Sequence, residues 1–426
     1  MAAVALHAQS DPLLKGYVTR SGTARDFDVN GIHILCEQTT LTQTIVNGSM
    51  IGRPECRLHP FGERLAIYGK TDRHLVNIEA TEIAPDELSA SSAVSGLALI
   101  DLILSPDMFR ADGYAIRTTT ETKITRAAPL TSSSSPAAGQ WVEYQGKFGP
   151  DGAVLVSRLV FHAPAVGAKE QKFREKDEYD PSTVTNEDRQ DPILKLIAGP
   201  DVKRIPAVDD PAQQARIERI GRQLIPGVQS RLAVDDPNKV NFRFQLIGSK
   251  WNYAVGLPSG IILVPATLPG RLEDDQLAAV LAYAVAGVLE KQAYRFRPPA
   301  KSLQALSAAA FALDMLNPIS AGLAGAGAIG AAASGSAVQR DLDQQRARMG
   351  LVLMYDAGFN LDQAPMVWWR LSTRKSDYMK DPPPARSAYL FQTLSLEWNP
   401  ASPLRVGAAS KQSENLNAAT ASVPIH

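Results

Sequence analysis

Histidine is scarce where chemistry would need it. The 426-residue chain has six, five of them at or before residue 162 and the sixth at position 426. Nothing between these two points can offer an imidazole to a metal or to proton transfer. Cysteine is limited to Cys36 and Cys56, with no C-x-x-C spacing, which excludes the usual thiolate zinc sites. There is no excess of either charge, since Lys plus Arg and Asp plus Glu both number 44. That excludes the basic surplus of a nucleic-acid binder and any general attraction to an anionic membrane. The chain also lacks a G-x-S-x-G elbow, a P-loop and a G-x-G-x-x-G following a strand. Its one uncharged stretch of spanning length, Met315 to Val338, is mostly Gly, Ala and Ser with a Pro. Its transfer free energy is poor, so close-packed helices or a loop are expected there and membrane association is at most weak.

Composition is that of ordinary globular protein, 45% hydrophobic and 21% charged, in a length that suits two or three domains. Residues 11–86 carry short β-type runs ("KGYVTR", "GIHILCEQTT", "ERLAIYGK", "HLVNIEATEI") broken by Gly, Asn, Asp and Pro, which predict a small all-β module. The pattern returns over 87–165. "GYAIRTT" at 113 echoes "GYVTRSG" at 16, and "GQWVEYQGK" at 139 echoes "GERLAIYGK" at 62. A duplicated barrel-like unit is expected, or else one larger β domain, with "AVSGLALIDLILSPDMF" packing across both copies. His33, His59, His74 and His162 fall in these modules at irregular separations and read as surface or packed residues. Cys36 and Cys56 share the first module, where they pair if the protein is exported and stay buried thiols if it is not.

Residues 166–192 are highly charged and poor in apolar side chains, the composition of a solvated linker. Beyond them "DPAQQARIERIGRQLI" predicts a helix with Pro in its first turn. The tail over 401–426 has the composition of a disordered segment. Residues 1–10 end an apolar run at Ala8 and read either as the remnant of a secretory signal or as a frayed terminus.

The region 193–400 carries a family resemblance. "NYAVGLPSGIILVPATL" leads into "LEDDQLAAVLAYAVAGVLEKQ", and Asn252, Pro258, Gly260, Leu277, Ala278, Val280 and Leu281 fit a strand and helix of the gluzincin-type zinc metallopeptidases that include HtpX and the CAAX prenyl proteases. "DLDQQRARMGLVLMYDAGFN" is similar to their second-ligand helix and turn, matching at Gly350, Ala357, Gly358 and Phe359, and "KDPPPARSAYL" keeps Arg386 of a later segment. The resemblance spans roughly residues 205–392 and implies an α+β fold, a zincin-like domain preceded by the all-β region.

It implies zinc as well, and there the sequence departs. A hydrolytic zinc site needs two imidazoles one helical turn apart, a third ligand and a carboxylate to deprotonate the bound water. The matching positions hold Tyr283, Ala284 and Gly287, with Asp343 at the third ligand and Ala347 where the family has Asp. No catalytic residue, metal ligand or cofactor is therefore expected. A carboxylate-only site from Asp341, Asp343 and Glu290 is the minor alternative. Tyr283 is expected to be a packed aromatic, or else to hydrogen-bond Asp343 with its phenol. Gly287 costs the helix about 1 kcal/mol against Ala, tolerable if a small-residue helix packs closely there.

What survives is a scaffold. The family holds peptide along an edge strand, and Gly260, Ile261, Ile262 and Leu263 form the matching segment; strand addition needs no metal. The expectation is a catalytically inactive, exported protein of the periplasm or cell envelope that binds a protein or peptide partner. The alternative is an active metalloendopeptidase with a non-standard or partner-completed metal site.

Overall fold

The computed structural model describes residues 11–46, 49–71, 77–86, 93–128, 130, 136–162, 166–176, 178–180, 205–236, 238–249, 251–295, 329–371, 385–398 and 401–405. The expectations for residues 1–10, His74, residues 181–192, the uncharged stretch up to 328 and the tail from 406 lie outside them. The chain divides into two compact units, Met1–Ser91 with Trp368–Ser395, and Ser92–Val367 with Leu396–His426.

The first unit is built on β1 (Leu14–Thr23), β2 (Asp26–Val29), β3 (Ile32–Val46), β4 (Ser49–Pro54), β5 (Arg64–Thr71) and β6 (Asn77–Pro85). Strand pairing runs β1-β2-β3-β6-β5 and back to β1, antiparallel except for β3 with β6, while β4 extends the far half of β3. Such a closed five-strand circuit is the arrangement of small Greek-key barrels such as the OB-fold. Alternation along the strands sends Val18, Phe27, Ile34, Leu65, Ile67 and Ile78 inside. Cys36 and Cys56 are disulfide-bonded, tying β3 to the chain just beyond β4.

In the second unit β7 (Val94–Ser105), β8 (Met108–Ala111), β9 (Tyr114–Arg117), β10 (Lys123–Arg126), β11 (Trp141–Phe148) and β12 (Val154–His162) repeat that circuit as β7-β8-β9-β12-β11. Within the circuit the parallel pair is β9 with β12, and the extra strand β10 also lies parallel on β12. Its core includes Ile100, Phe109, Ile116, Val142, Val154 and Phe161. The all-β N-terminal region and its duplication are thus present. Val18 donates to Glu63 O and accepts from Gly62 N, and Ile100 does the same with Gln140 O and Gly139 N.

Two details differ from expectation. The echo at Gly62 and Gly139 aligns equivalent strands, but the one at 16 and 113 does not. Gly113 opens β9, whose counterpart is β3, opened by Gly31. The true equivalents are the two-residue turns Asn30-Gly31 (φ 48° and 76°) and Asp112-Gly113 (φ 58° and 73°). Positive φ at both positions marks type I′ hairpin turns, which favour Asn or Asp followed by Gly. And "AVSGLALIDLILSPDMF" is no connecting layer; it forms β7 and opens β8.

The charged stretch begins with α1 (Ala168–Lys176), on which Glu170 is buried, and buried Tyr179 follows it. Next come α2 (Pro211–Gln223), with Asp210 as N-cap accepting from Gln213 N, α3 (Gly227–Arg231), and the sheet strands β13 (Arg243–Ile247), β14 (Val255–Gly256) and β15 (Ile261–Pro265). Helix α4 (Asp274–Leu289) is apolar on all sides and almost wholly buried, as such a composition requires. A capping box between Glu273 and Gln276 starts it, while Asp274 pairs with Arg216 and Arg219. Short α5 (Gln292–Arg295), long α6 (Ile329–Asp356), α7 (Gln363–Arg370) and α8 (Ala385–Leu396) complete the described helices.

Each barrel carries part of the C-terminal half on its I′ turn. In the first unit Trp369 lies against Gly31, and Phe391 of α8 stacks on Tyr17 with centroids 5.2 Å apart. In the second, Arg348 of α6 lies against Gly113 and donates to Asp112 O at 2.8 Å and to Asp112 Oδ1 at 2.5 Å. Tyr144 donates to the other Asp112 oxygen. Arg110, fully buried on β8, bridges Asp101 and Asp356. Burial alone would lower its pKa; the two carboxylates more than reverse that.

Candidate functional site

The four positions singled out by the sequence sit in the second unit, where α6 packs on α4. Tyr283, Ala284 and Gly287 share one face of α4. Tyr283 is buried, at 6% exposure, and its hydroxyl donates to Asp343 Oδ1 on α6. Both expectations for this residue therefore hold together, a packed ring and a bonded phenol.

Gly287 faces a cation. A Cβ built on it would lie 2.8 Å from Arg346 Nε and 3.3 Å from Cδ and Cζ. The expected small-residue neighbour is replaced by a guanidinium crossing the bare backbone. Arg346 is 3% exposed, stands 5.7 Å from the Tyr283 ring centroid, and donates through Nε to Gln292 Oε1. Gln292, fully buried, passes the network on by donating to Leu342 O at 3.1 Å and to Gln345 Oε1 at 2.8 Å. Gln345 in turn donates to Leu97 O. Close approach of the helices comes instead at Gly350, beside the Tyr283 backbone.

Chemically this is a closed network. Tyr283, Ala284, Gly287 and Arg346, with Glu170 and Lys291, line a cleft of about 30 Å³, room for a water or two. A zinc ion does not fit these residues. Gly287 has no donor, Ala284 no base, the phenol and one carboxylate are already joined, and a fixed cation lies beside them. The carboxylate-only alternative is not assembled either. Glu290 Oε2 accepts from Leu99 N, while Asp341 is exposed beside Arg340.

The segment expected as a peptide-binding edge is not an edge. The sheet order is β13-β15-β14, so Ile261, Ile262 and Leu263 lie on the middle strand, pairing with Arg243, Phe244 and Gln245 on one side. On the other, Leu263 and Ile262 pair with Val255 and Gly256, and Leu257 N donates to Ile261 O. Gly260, just before the strand, donates to Leu257 O and accepts from Arg243 N. All five residues of β15 are buried. Strand addition is blocked because sequence neighbours already occupy both sides.

Among the other histidines, His59 is fully buried and bonded to Glu63 at 2.8 Å, and His162 lies beside Glu143. His33 forms, with Asp26 and Asp28, the one group of metal-type donors gathered among the described residues. Arg20 sits inside that group, bonded to both aspartates, and supplies the charge a cation would. Arg346 and Gln292, which complete the α4 site, escaped the sequence reading. An Arg one turn beyond Asp343 was the available signal. Compared with protein-family models and with curated proteins, the sequence matches none.

Proposed function

We propose that this chain is a catalytically silent protein of the gluzincin metallopeptidase type, exported to the periplasm or cell envelope, where it binds a protein or peptide partner. The observation that carries the silent assignment is the guanidinium of Arg346 against Gly287, beside a Tyr283 phenol already bonded to Asp343. Internal contacts take up the donors that metal chemistry would need. The disulfide between Cys36 and Cys56 supports export, since such bonds persist in oxidising compartments. No described helix is long and apolar enough to cross a membrane.

Restoration tests the inherited geometry. Tyr283→His, Ala284→Glu, Gly287→His and Asp343→Glu recreate the donor set, but an imidazole at 287 meets Arg346. The four substitutions together with Arg346→Ala gain about one zinc per chain by metal analysis, and the four alone gain much less. A fivefold variant that stays folded and takes up no zinc contradicts the alignment on which the family assignment rests.

A further inference from the structure

With β15 closed to strand addition, a peptide needs another place. A second cavity in the same unit, of about 110 Å³, lies among β7, β11, α1, α3 and the end of α4. Its apolar walls are Leu99, Trp141, Leu232 and Leu289, and two cations, Arg174 and Lys291, line it as well. A void of 150 Å³ with apolar walls holds benzene, so this one has room for a single aliphatic side chain.

Lys291 is the unusual residue. It follows α4 in the left-handed region, at φ 50°, where helices ordinarily end on Gly because a Cβ is strained there by about 1–2 kcal/mol. The chain keeps a long amine at that point nonetheless. The side chain is mostly buried, with Nζ 5.4 Å from the Trp141 centroid and 3.1 Å from Glu170. Glu170 also binds Arg174 at 2.6 Å. Burial lowers the Lys291 pKa, and Glu170 offsets part of that. Local strain retained at a cavity wall points to a role for the side chain it carries.

We propose that this cavity receives the C-terminal residue of a partner polypeptide, its carboxylate on Lys291 and Arg174 and its aliphatic side chain against Trp141, Leu99 and Leu289. Asp236 and Asn238, both half-buried, also line the cavity, and the preceding peptide leaves past them. The assignment deepens the peptide-binding reading and rests on it, but not on the silence of the α4 site.

The test is calorimetric titration of the full chain with N-acetyl-Ala-Ala-Leu, as free acid and as amide. The acid binds, and the amide binds at least about ten-fold more weakly, one decade for a lost charged contact. Lys291→Gly is the decisive variant. It relieves the strained backbone but leaves Glu170 to Arg174 alone, so urea unfolding first establishes that the variant is folded; the folded variant loses about ten-fold in affinity for the acid and little for the amide. Acid and amide binding alike, or neither binding, overturns the proposal. So does unchanged affinity in Lys291→Gly, and so does free leucine or acetate binding as tightly as the peptide. Failure here with zinc uptake by the restored variant removes the peptide site alone; success here with no zinc uptake removes the family alignment alone.

Discussion

Replacing Gly287 by alanine tests the account of the α4 site through a reversal of sign. In a helix interior, glycine to alanine normally stabilises by about 1 kcal/mol through backbone entropy. At this position the new methyl would stand 2.8 Å from Arg346 Nε, closer than real side chains pack, so the arginine must move. Its hydrogen bond to Gln292 is buried and charged, worth about 1.5–3 kcal/mol. Losing most of it outweighs the helix gain, and Gly287→Ala should destabilise by about 1–2 kcal/mol. Once Arg346→Ala has removed the obstacle, the same substitution should stabilise by up to about 1 kcal/mol. The two sites are therefore coupled by about 2–3 kcal/mol, at the upper end of what contacting residues show. Urea unfolding of the wild type, both single variants and the double variant measures this directly. A stabilising Gly287→Ala in the wild-type background, with coupling near zero, would refute the placement of Arg346 across Gly287.

Two further outcomes concern Glu397 and the disulfide. Glu397 is pushed up to about 8 by burial, with Arg348 offsetting part of the effect and Asp112 adding to it; the folded state then holds a proton that the unfolded chain gives up near pH 4.5, so stability should fall as pH rises between these values and Glu397→Gln should flatten the fall in urea unfolding. An unchanged slope in that variant contradicts the buried placement. The disulfide closes a loop of 20 residues; replacing both Cys36 and Cys56 by serine should cost the first unit about 3 kcal/mol, and an unfolding midpoint indifferent to reductant argues against the bond.

Much of the fold is written locally. Alternating strands, the Asp210 cap and the all-apolar α4 each follow from short-range pattern. The Asn30-Gly31 and Asp112-Gly113 pairs were also legible, being the strongest short hairpin signal, and they locate the repeat better than the Gly-Tyr echo did. Other features depend on partners far away in the chain. Arg346 and Arg348 look like solvated helix charges, but contacts that include Gln292 and the backbone and side chain of Asp112 make them interior groups. The middle position of β15 is the opposite case, because β14 precedes it by one short turn and pairs on the side that strand addition would have used, so the Pro-Ser-Gly turn was the local signal. At the candidate site, the missing imidazoles were plain in the sequence. What took their place was not, since it comes from a helix more than 50 residues further on.

The most direct measurement is metal content together with peptidase activity of the purified full-length chain, supplied with excess zinc and dialysed. A site in which Tyr283 is bonded to Asp343 beside the Arg346 cation predicts well under one zinc per chain and no cleavage of unfolded protein beyond background, with or without chelator. Stoichiometric zinc with cleavage that a chelator abolishes would contradict the silent assignment.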